Sequence, residues 1–186
     1  MKYISIGAVM QEGAESVFDV TRGGRTFRLT GTQAALWLNG RTKFSSVVDR
    51  SEQQALAQLR RMGLVMISDE TDMGEYRALT GSTIIPAEKA HPYCFLNPQE
   101  KRALTWLREA GLVLSMAELV YLIDRDIHPD PNLIGPDNVQ NLVECIYTRD
   151  TIFDNILEAQ MEKAPAMQHT VGLILQLLKK RRIILL

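Results

Sequence analysis

Two cysteines in 186 residues leave no disulfide framework to hold this chain together. Cys145 lies in the apolar stretch 142–146 and reads as a buried free thiol, and Cys94 has no paired partner motif near it. Three histidines are scattered along the chain. There is no Gly-x-Ser-x-Gly elbow and no phosphate-binding glycine loop. The chain is therefore not expected to be an enzyme, and no cofactor or resident metal is expected. No apolar run reaches the roughly 20 residues that span a bilayer. The first residues lack a basic segment followed by an apolar core and a cleavage site. Those absences predict a cytoplasmic protein with no membrane partner. Excess charge is missing too: 21 basic residues face 22 acidic ones, for a net charge of -1. Residues 1–90 hold 11 basic and 10 acidic residues, and residues 91–186 hold 10 and 12. The strongly basic footprint of many nucleic-acid binders is absent, which leaves only local patches.

What is present is punctuation. Residues 3–9 read as a strand. Val17–Val20 and Thr26–Leu29 flank the turn Arg22-Gly23-Gly24-Arg25, where paired glycines supply the positive φ angles of a tight hairpin. Thr30 is placed to cap a helix through Trp37 and Leu38, with Gly40 as its stop. A helical turn is expected over 45–49. Ser51 is placed to cap a second helix with core positions Ala55, Leu56, Leu59 and Met62, stopped by Gly63. Residues 64–67 then read as a strand, 69–74 as an acidic turn, 76–79 as the return strand of a wing, and 82–85 as an extension of the sheet. Pro86–Pro92 reads as a connector, so domains are placed at 1–88 and 93–186.

The second half reads as nearly all helix. Asn97-Pro98-Gln99-Glu100 and Ser115-Met116-Ala117-Glu118 are capping boxes. Apolar residues recur at helical spacing at Met116, Leu119, Val120 and Ile123, and again at Val139, Leu142, Val143 and Ile146. Residues 112–114 read as a short strand, and three prolines between 128 and 136 force a loop. A further helix over 151–163 is expected to bury Phe153, Ile156, Leu157 and Met161. The last helix runs over about 166–180.

Two clusters invite a metal reading. Asp124, Asp126, His128 and Asp130 alternate, but no glycine turn or twelfth-position glutamate completes a calcium loop, and a helix end entering a polar loop is the favoured reading. His91 and Cys94 lack a second pair for zinc.

The end of each half repeats a pattern. Leu59-Arg60-Arg61-Met62-Gly63 leads into 64–67, and Leu178-Lys179-Lys180-Arg181-Arg182 leads into Ile183–Leu186. Each is preceded upstream by a short tryptophan helix, with Ala35–Leu38 matching Ala103–Leu107. The outward faces differ. Around the helix that Ser51 is placed to cap, Arg50, Gln53, Gln54, Ala57, Arg60 and Arg61 oppose the core stripe, and these side chains can reach base edges and phosphates. Arg41 and Lys43, with Arg22, Arg25 and Arg28, can add backbone contacts. Around the last helix, Leu173 and Leu177 oppose the core stripe of Met167, Val171, Ile174, Leu175 and Leu178, which predicts a helix buried on both sides. Leu173, Leu177, Ile183 and Leu185 are therefore expected at a protein interface.

The order helix, helix, helix, strand, wing resembles the winged-helix superfamily of bacterial transcription regulators. The carrying residues are 30–40, 51–62 and 64–79, then 97–110, 115–123 and 166–186. The first half also resembles the small peptide-binding PqqD-type domains, with a leading hairpin, a Leu-Trp helix and a Leu-Arg-x-x-Gly-Leu helix end. The resemblance implies an α+β, mostly helical chain of two winged-helix-like domains. Each would have a three-helix core and a small antiparallel sheet, with an extra helix in the second. It implies a transcriptional regulator whose first domain binds double-stranded DNA and whose second mediates assembly with a protein partner or a second copy. The alternative is a protein- or peptide-binding adaptor on the same scaffold that does not touch DNA.

Overall fold

The computed structural model describes residues 1–11, 17–87, 95–110, 114–147 and 154–186. It is an α+β structure, mostly helical, with small antiparallel sheets. Among the described residues no helix is long and apolar enough to cross a membrane. The chain divides into two compact units. The first comprises Met1–Ala87 together with Ile183–Leu186, and the second comprises Glu88–Arg182.

The first unit begins with β1 (Lys2–Ser5) and β2 (Ala8–Gln11). The single strand expected over 3–9 is broken at Gly7, whose φ of +113° turns the chain from one sheet into another. β3 (Val17–Arg22) and β4 (Arg25–Thr30) form the expected hairpin, with Gly23 and Gly24 both at positive φ, and β2 completes the sheet β2-β3-β4. α1 (Gly31–Gly40) follows, and then β5 (Ser45–Ser46) stands where a helical turn was expected. α2 (Arg50–Arg61) comes next, and β6 (Val65–Ser68) completes a second sheet, β5-β1-β6, in which β1 lies in the middle.

Three local expectations change here. Thr30 stands before α1 but its side chain makes no capping bond. Gly40 lies inside α1 and does not stop it. A methyl group there would lie 2.5 Å from the Ser5 hydroxyl and 2.6 Å from the Tyr3 ring, so glycine lets α1 press onto β1. α2 is capped by Asp49, not Ser51: the Asp49 carboxylate accepts the Glu52 N–H at 2.8 Å and the Ser51 hydroxyl at 2.8 Å. Those two donors hold its carboxyl below the usual carboxylate range.

The expected wing strand over 76–79 is a helix. α3 spans Asp72–Thr80, capped by the Thr71 hydroxyl accepting the Gly74 N–H at 2.9 Å, with Asp72 and Glu75 favourably placed at its positive end. β7 (Ile84–Pro86) does form, but it pairs with β8 (Ile183–Leu185), not with the strand after α2.

Trp37, Tyr3, Phe18, Val20, Leu29, Leu56, Leu59 and Leu64 form the core of this unit. The Tyr3 hydroxyl donates to the Leu36 carbonyl at 2.9 Å. Burial, with a smaller push from the Glu52 carboxylate, drives the Tyr3 pKa up to about 12. An unfolded tyrosine titrates near ~10. The unfolded chain thus loses this proton first, so Tyr3 contributes its full stability below about pH 10 and loses it as the pH climbs toward 12. Urea midpoints from pH 9 to 12 should fall more steeply for wild type than for Tyr3→Phe, and parallel curves would contradict this.

The second unit contains α4 (Pro98–Glu109), α5 (Met116–Asp124), a 3-10 turn (Pro136–Asn138), α6 (Val139–Ile146), α7 (Asp154–Met161) and α8 (Pro165–Lys179). Both capping boxes form as expected. α5 is buried around most of its circumference and packs against α4, α6, α7 and α8. Val139, Val143 and Ile156 are exposed, so Leu142, Ile146, Leu157 and Met161 carry the burial of α6 and α7. Residues 112 and 113 of the strand expected over 112–114, and Phe153, lie outside the described residues, and Leu114 is not in a strand. Among the described residues the second unit has no strand of its own, because β8 belongs to the first unit.

α2 and α8 do end alike. Gly63 (φ +72°) and Arg181 (φ +53°) take the left-handed conformation. Leu64 N–H reaches the Leu59 carbonyl at 2.9 Å, and Arg182 N–H reaches the Leu177 carbonyl at 2.9 Å. The bonds match Leu59 with Leu177, one residue off the sequence match with Leu178. Asp126 (φ +54°) closes α5 the same way, through Ile127 N–H to Leu122 carbonyl at 2.9 Å. The shared ending is therefore a helix stop used three times among the described residues, and two of the three lead into strands of the same unit.

Candidate docking face on helix α2

α2 turns Ala55, Leu56 and Leu59 into the core. The 3.6-residue period then leaves Arg50, Gln53, Gln54, Ala57, Gln58, Arg60 and Arg61 exposed. Arg60 and Arg61 close the last turn, where the helix dipole favours cations. The acidic residues near the other end are engaged locally: Asp49 caps the helix, and the Glu52 carboxylate accepts the Val48 N–H at 2.8 Å.

The structure gathers only part of the expected basic patch. Gln53, Ala57, Arg60 and Arg61 line a depression of about 430 Å³ with Met1, Leu56 and Ile67. Arg50 and Gln54 share the exposed side of α2 but lie outside the depression. Arg50 stands roughly 15 Å along the helix from Arg60, at 1.5 Å per residue. Arg41 is half-buried with its guanidinium 5.8 Å over the Trp37 ring, and Lys43 is exposed in the turn before β5.

Two of the supporting arginines are already engaged. Arg22 donates to the Gly63 carbonyl, tying the hairpin to the end of α2. Arg28 makes a two-pronged pair with Asp19 at 2.9 and 3.0 Å, which holds the Asp19 carboxyl below its usual range. The apolar part of the depression was not legible as part of a site. Ile67 comes from β6 and reaches it only through the sheet register, in which it sits opposite Tyr3.

The residues expected at a protein interface are placed differently. Leu173 is 5% exposed, Leu177 0%, Ile183 3% and Leu185 2%. The helix is indeed buried on both sides, but within the chain itself. α8 packs against both α4 and α5, while Ile183 and Leu185 belong to β8 in the first unit. These four side chains are core, and none is offered to a partner.

A guanidinium occupies the Asp-His cluster. Arg102 donates to the Asp126 carboxylate and lies 3.5 Å from His128 Nε2. This pairing holds the Asp126 carboxyl below its usual range. Among the described residues no three acidic, histidine or cysteine side chains converge on a point. His91 and Cys94 lie outside the described residues. Cys145 is a half-buried free thiol, and burial pushes its pKa up.

No known family model matches the chain, and no curated protein or solved structure shows significant similarity to it.

Proposed function

We propose that the first unit is a non-enzymatic DNA-binding module of a transcriptional regulator, with the outward face of α2 laid in the major groove of duplex DNA. The observation that carries this reading is the row Arg50, Gln53, Gln54, Ala57, Arg60 and Arg61, all exposed along one capped helix whose other side is anchored in the core. Glutamine amides suit base edges, arginines suit phosphates and guanine, and Ala57 permits close approach of the helix. The arrangement of α1, β5, α2 and β6 around a three-stranded sheet supports a winged-helix-like reading of this unit. It differs in two respects: the middle strand is the N-terminal β1, and α3 stands in place of the wing. Contacts would therefore come from α2, Lys43 and Arg41 without a wing.

A salt titration of duplex binding tests this. The affinity should fall linearly on a logarithmic plot against salt, by about 0.9 log units per phosphate neutralised. Arg60→Glu with Arg61→Glu should weaken binding on the order of a hundredfold and lower the salt slope by about two. Wild-type affinity in that variant, or no duplex binding even at low salt, rejects the reading.

A second reading is a protein-docking adaptor that leaves DNA alone. It is favoured by the apolar lining that Met1, Leu56, Ala57 and Ile67 give the depression they share with the two arginines, a surface more useful against an apolar side chain than against a phosphate.

A further inference from the structure

The depression beside α2 has two chemical halves. Every residue lining it belongs to the first unit. On α2, Gln53, Leu56, Ala57, Arg60 and Arg61 follow one another at i, i+3, i+4, i+7 and i+8, a stripe about 12 Å long on one side of the helix. Leu56 and Ala57 make the middle of the stripe apolar, and Met1 and Ile67 extend that surface. Arg60 and Arg61 close one end of it with positive charge.

That charge is uncommitted. Arg22, Arg28 and Arg102 are each held by an oxygen of the chain itself. The Arg60 and Arg61 side chains have no hydrogen-bond or ion-pair partner among the described residues. Among the same residues no acidic side chain lines the depression, and the Glu70 carboxylate is engaged by the Met1 ammonium.

Size and lining select the occupant. At about 430 Å³ the depression falls in the range of small-molecule sites. It has room for roughly a dozen non-hydrogen atoms, at the ~30 Å³ a water takes in the liquid. A stable protein interface takes about 800 Å² from each partner, so the depression would seat one side chain of such a partner. It encloses the chain and head group of a small ligand together. A phosphodiester would satisfy the arginines and leave the apolar surface uncovered. No aromatic ring lines the depression, so nothing there stacks on a flat ring or a nucleobase. An anion on a flexible aliphatic chain matches both halves.

We infer that the depression binds a medium-chain aliphatic carboxylate, its chain lying on Met1, Leu56, Ala57 and Ile67 and its head group paired with Arg60 and Arg61. Guanidinium and carboxylate join through charge-assisted hydrogen bonds. Binding itself is independent of what α2 does with DNA. One consequence rests on the DNA-binding reading: a carboxylate on Arg60 and Arg61 withdraws both from phosphates, so ligand and duplex exclude each other.

Octanoate is the probe, added to the full chain and followed by the backbone amide resonances of residues 53–61 and Ile67. It should bind with a Kd on the order of 0.1–1 mM. The uncharged octanamide should bind about tenfold or more weakly, and acetate, which lacks the chain, should not saturate. Arg60→Gln with Arg61→Gln should weaken octanoate about tenfold or more. Ala57→Leu fills the apolar surface from an exposed position, keeps both arginines, and should weaken it comparably. Equal binding of octanoate and octanamide, or unchanged octanoate binding by either variant, overturns the site. Octanoate at ten times its Kd should lower duplex affinity about tenfold, with acetate at the same ionic strength as the control. Octanoate binding without any duplex binding sinks the DNA reading and leaves the site standing. Duplex binding that saturating octanoate does not shift sinks the mutual exclusion.

Discussion

Leu173→Glu combined with Leu177→Glu unfolds the second unit. Leu177 is 0% and Leu173 5% exposed, on a helix that packs against both α4 and α5. Each substitution puts a carboxylate into a buried apolar position, at a cost on the order of several kcal/mol per site. A domain is stabilised by only about 5–15 kcal/mol in all, so two such sites exhaust what the unit has. Hydrogen exchange should show α4, α5 and α8 losing protection together, while the hairpin β3–β4 keeps its own. Circular dichroism should lose helical signal in proportion. Gln176→Glu, on the exposed side of the same helix, should change neither. If the two leucines formed an interface with another molecule, the double variant would stay folded and only its assembly state would change. A folded double variant with full helical signal would therefore return these residues to the surface.

Trp37→Ala should cost the first unit about 3–5 kcal/mol. Three separate contacts converge on this ring, which is 0% exposed. Its indole N–H donates to the Ile6 carbonyl at 3.2 Å, beside the corner where β1 gives way to β2. Phe18 packs against it with ring centroids 5.5 Å apart and planes tilted by 55°, a favourable aromatic geometry. The Arg41 guanidinium covers its outer face. Truncation leaves a large cavity in a small core and orphans the Ile6 carbonyl, so the upper end of the range is expected. Trp37→Phe keeps most of the volume and should cost less than half as much. Because Trp106 is the other tryptophan and lies in the second unit, its fluorescence transition should be nearly unmoved by either change. The first unit should be followed instead by exchange at the α1 and α2 amides. A loss below about 2 kcal/mol would show that the core closes around the gap.

Local features of this fold were legible in the chain. Paired glycines at 23 and 24 specify a two-residue hairpin because they tolerate positive φ. Asn97 with Glu100 and Ser115 with Glu118 specify helix starts because each box satisfies its own backbone donors within four residues. The basic and glutamine-rich face of α2 follows from helical period alone. Reading failed where a residue answered to a distant neighbour. Gly74 suggested a turn, yet it sits inside α3, and a side chain there would collide with the Asp69 carboxylate. Gly40 suggested a helix stop, yet it is small because Tyr3 and Ser5 lie against it. Ser51 is a suitable cap type, but Asp49, two residues earlier, takes that place and accepts the Ser51 hydroxyl as well as the Glu52 N–H.

The sequence by itself determined the helix starts at Asn97 and Ser115, where the hairpin turns, and that the last helix is apolar on two sides. These depend on interactions spanning a few residues. Only the tertiary structure decided that Leu173 and Leu177 are covered by the chain itself, that Arg102 occupies the Asp126–His128 cluster, and that Ile183–Leu185 leave the unit of α8 to pair with β7. An apolar stripe states that it must be covered, but burial is non-directional and does not name the cover. That choice is made by strand pairing and packing across about a hundred residues of chain.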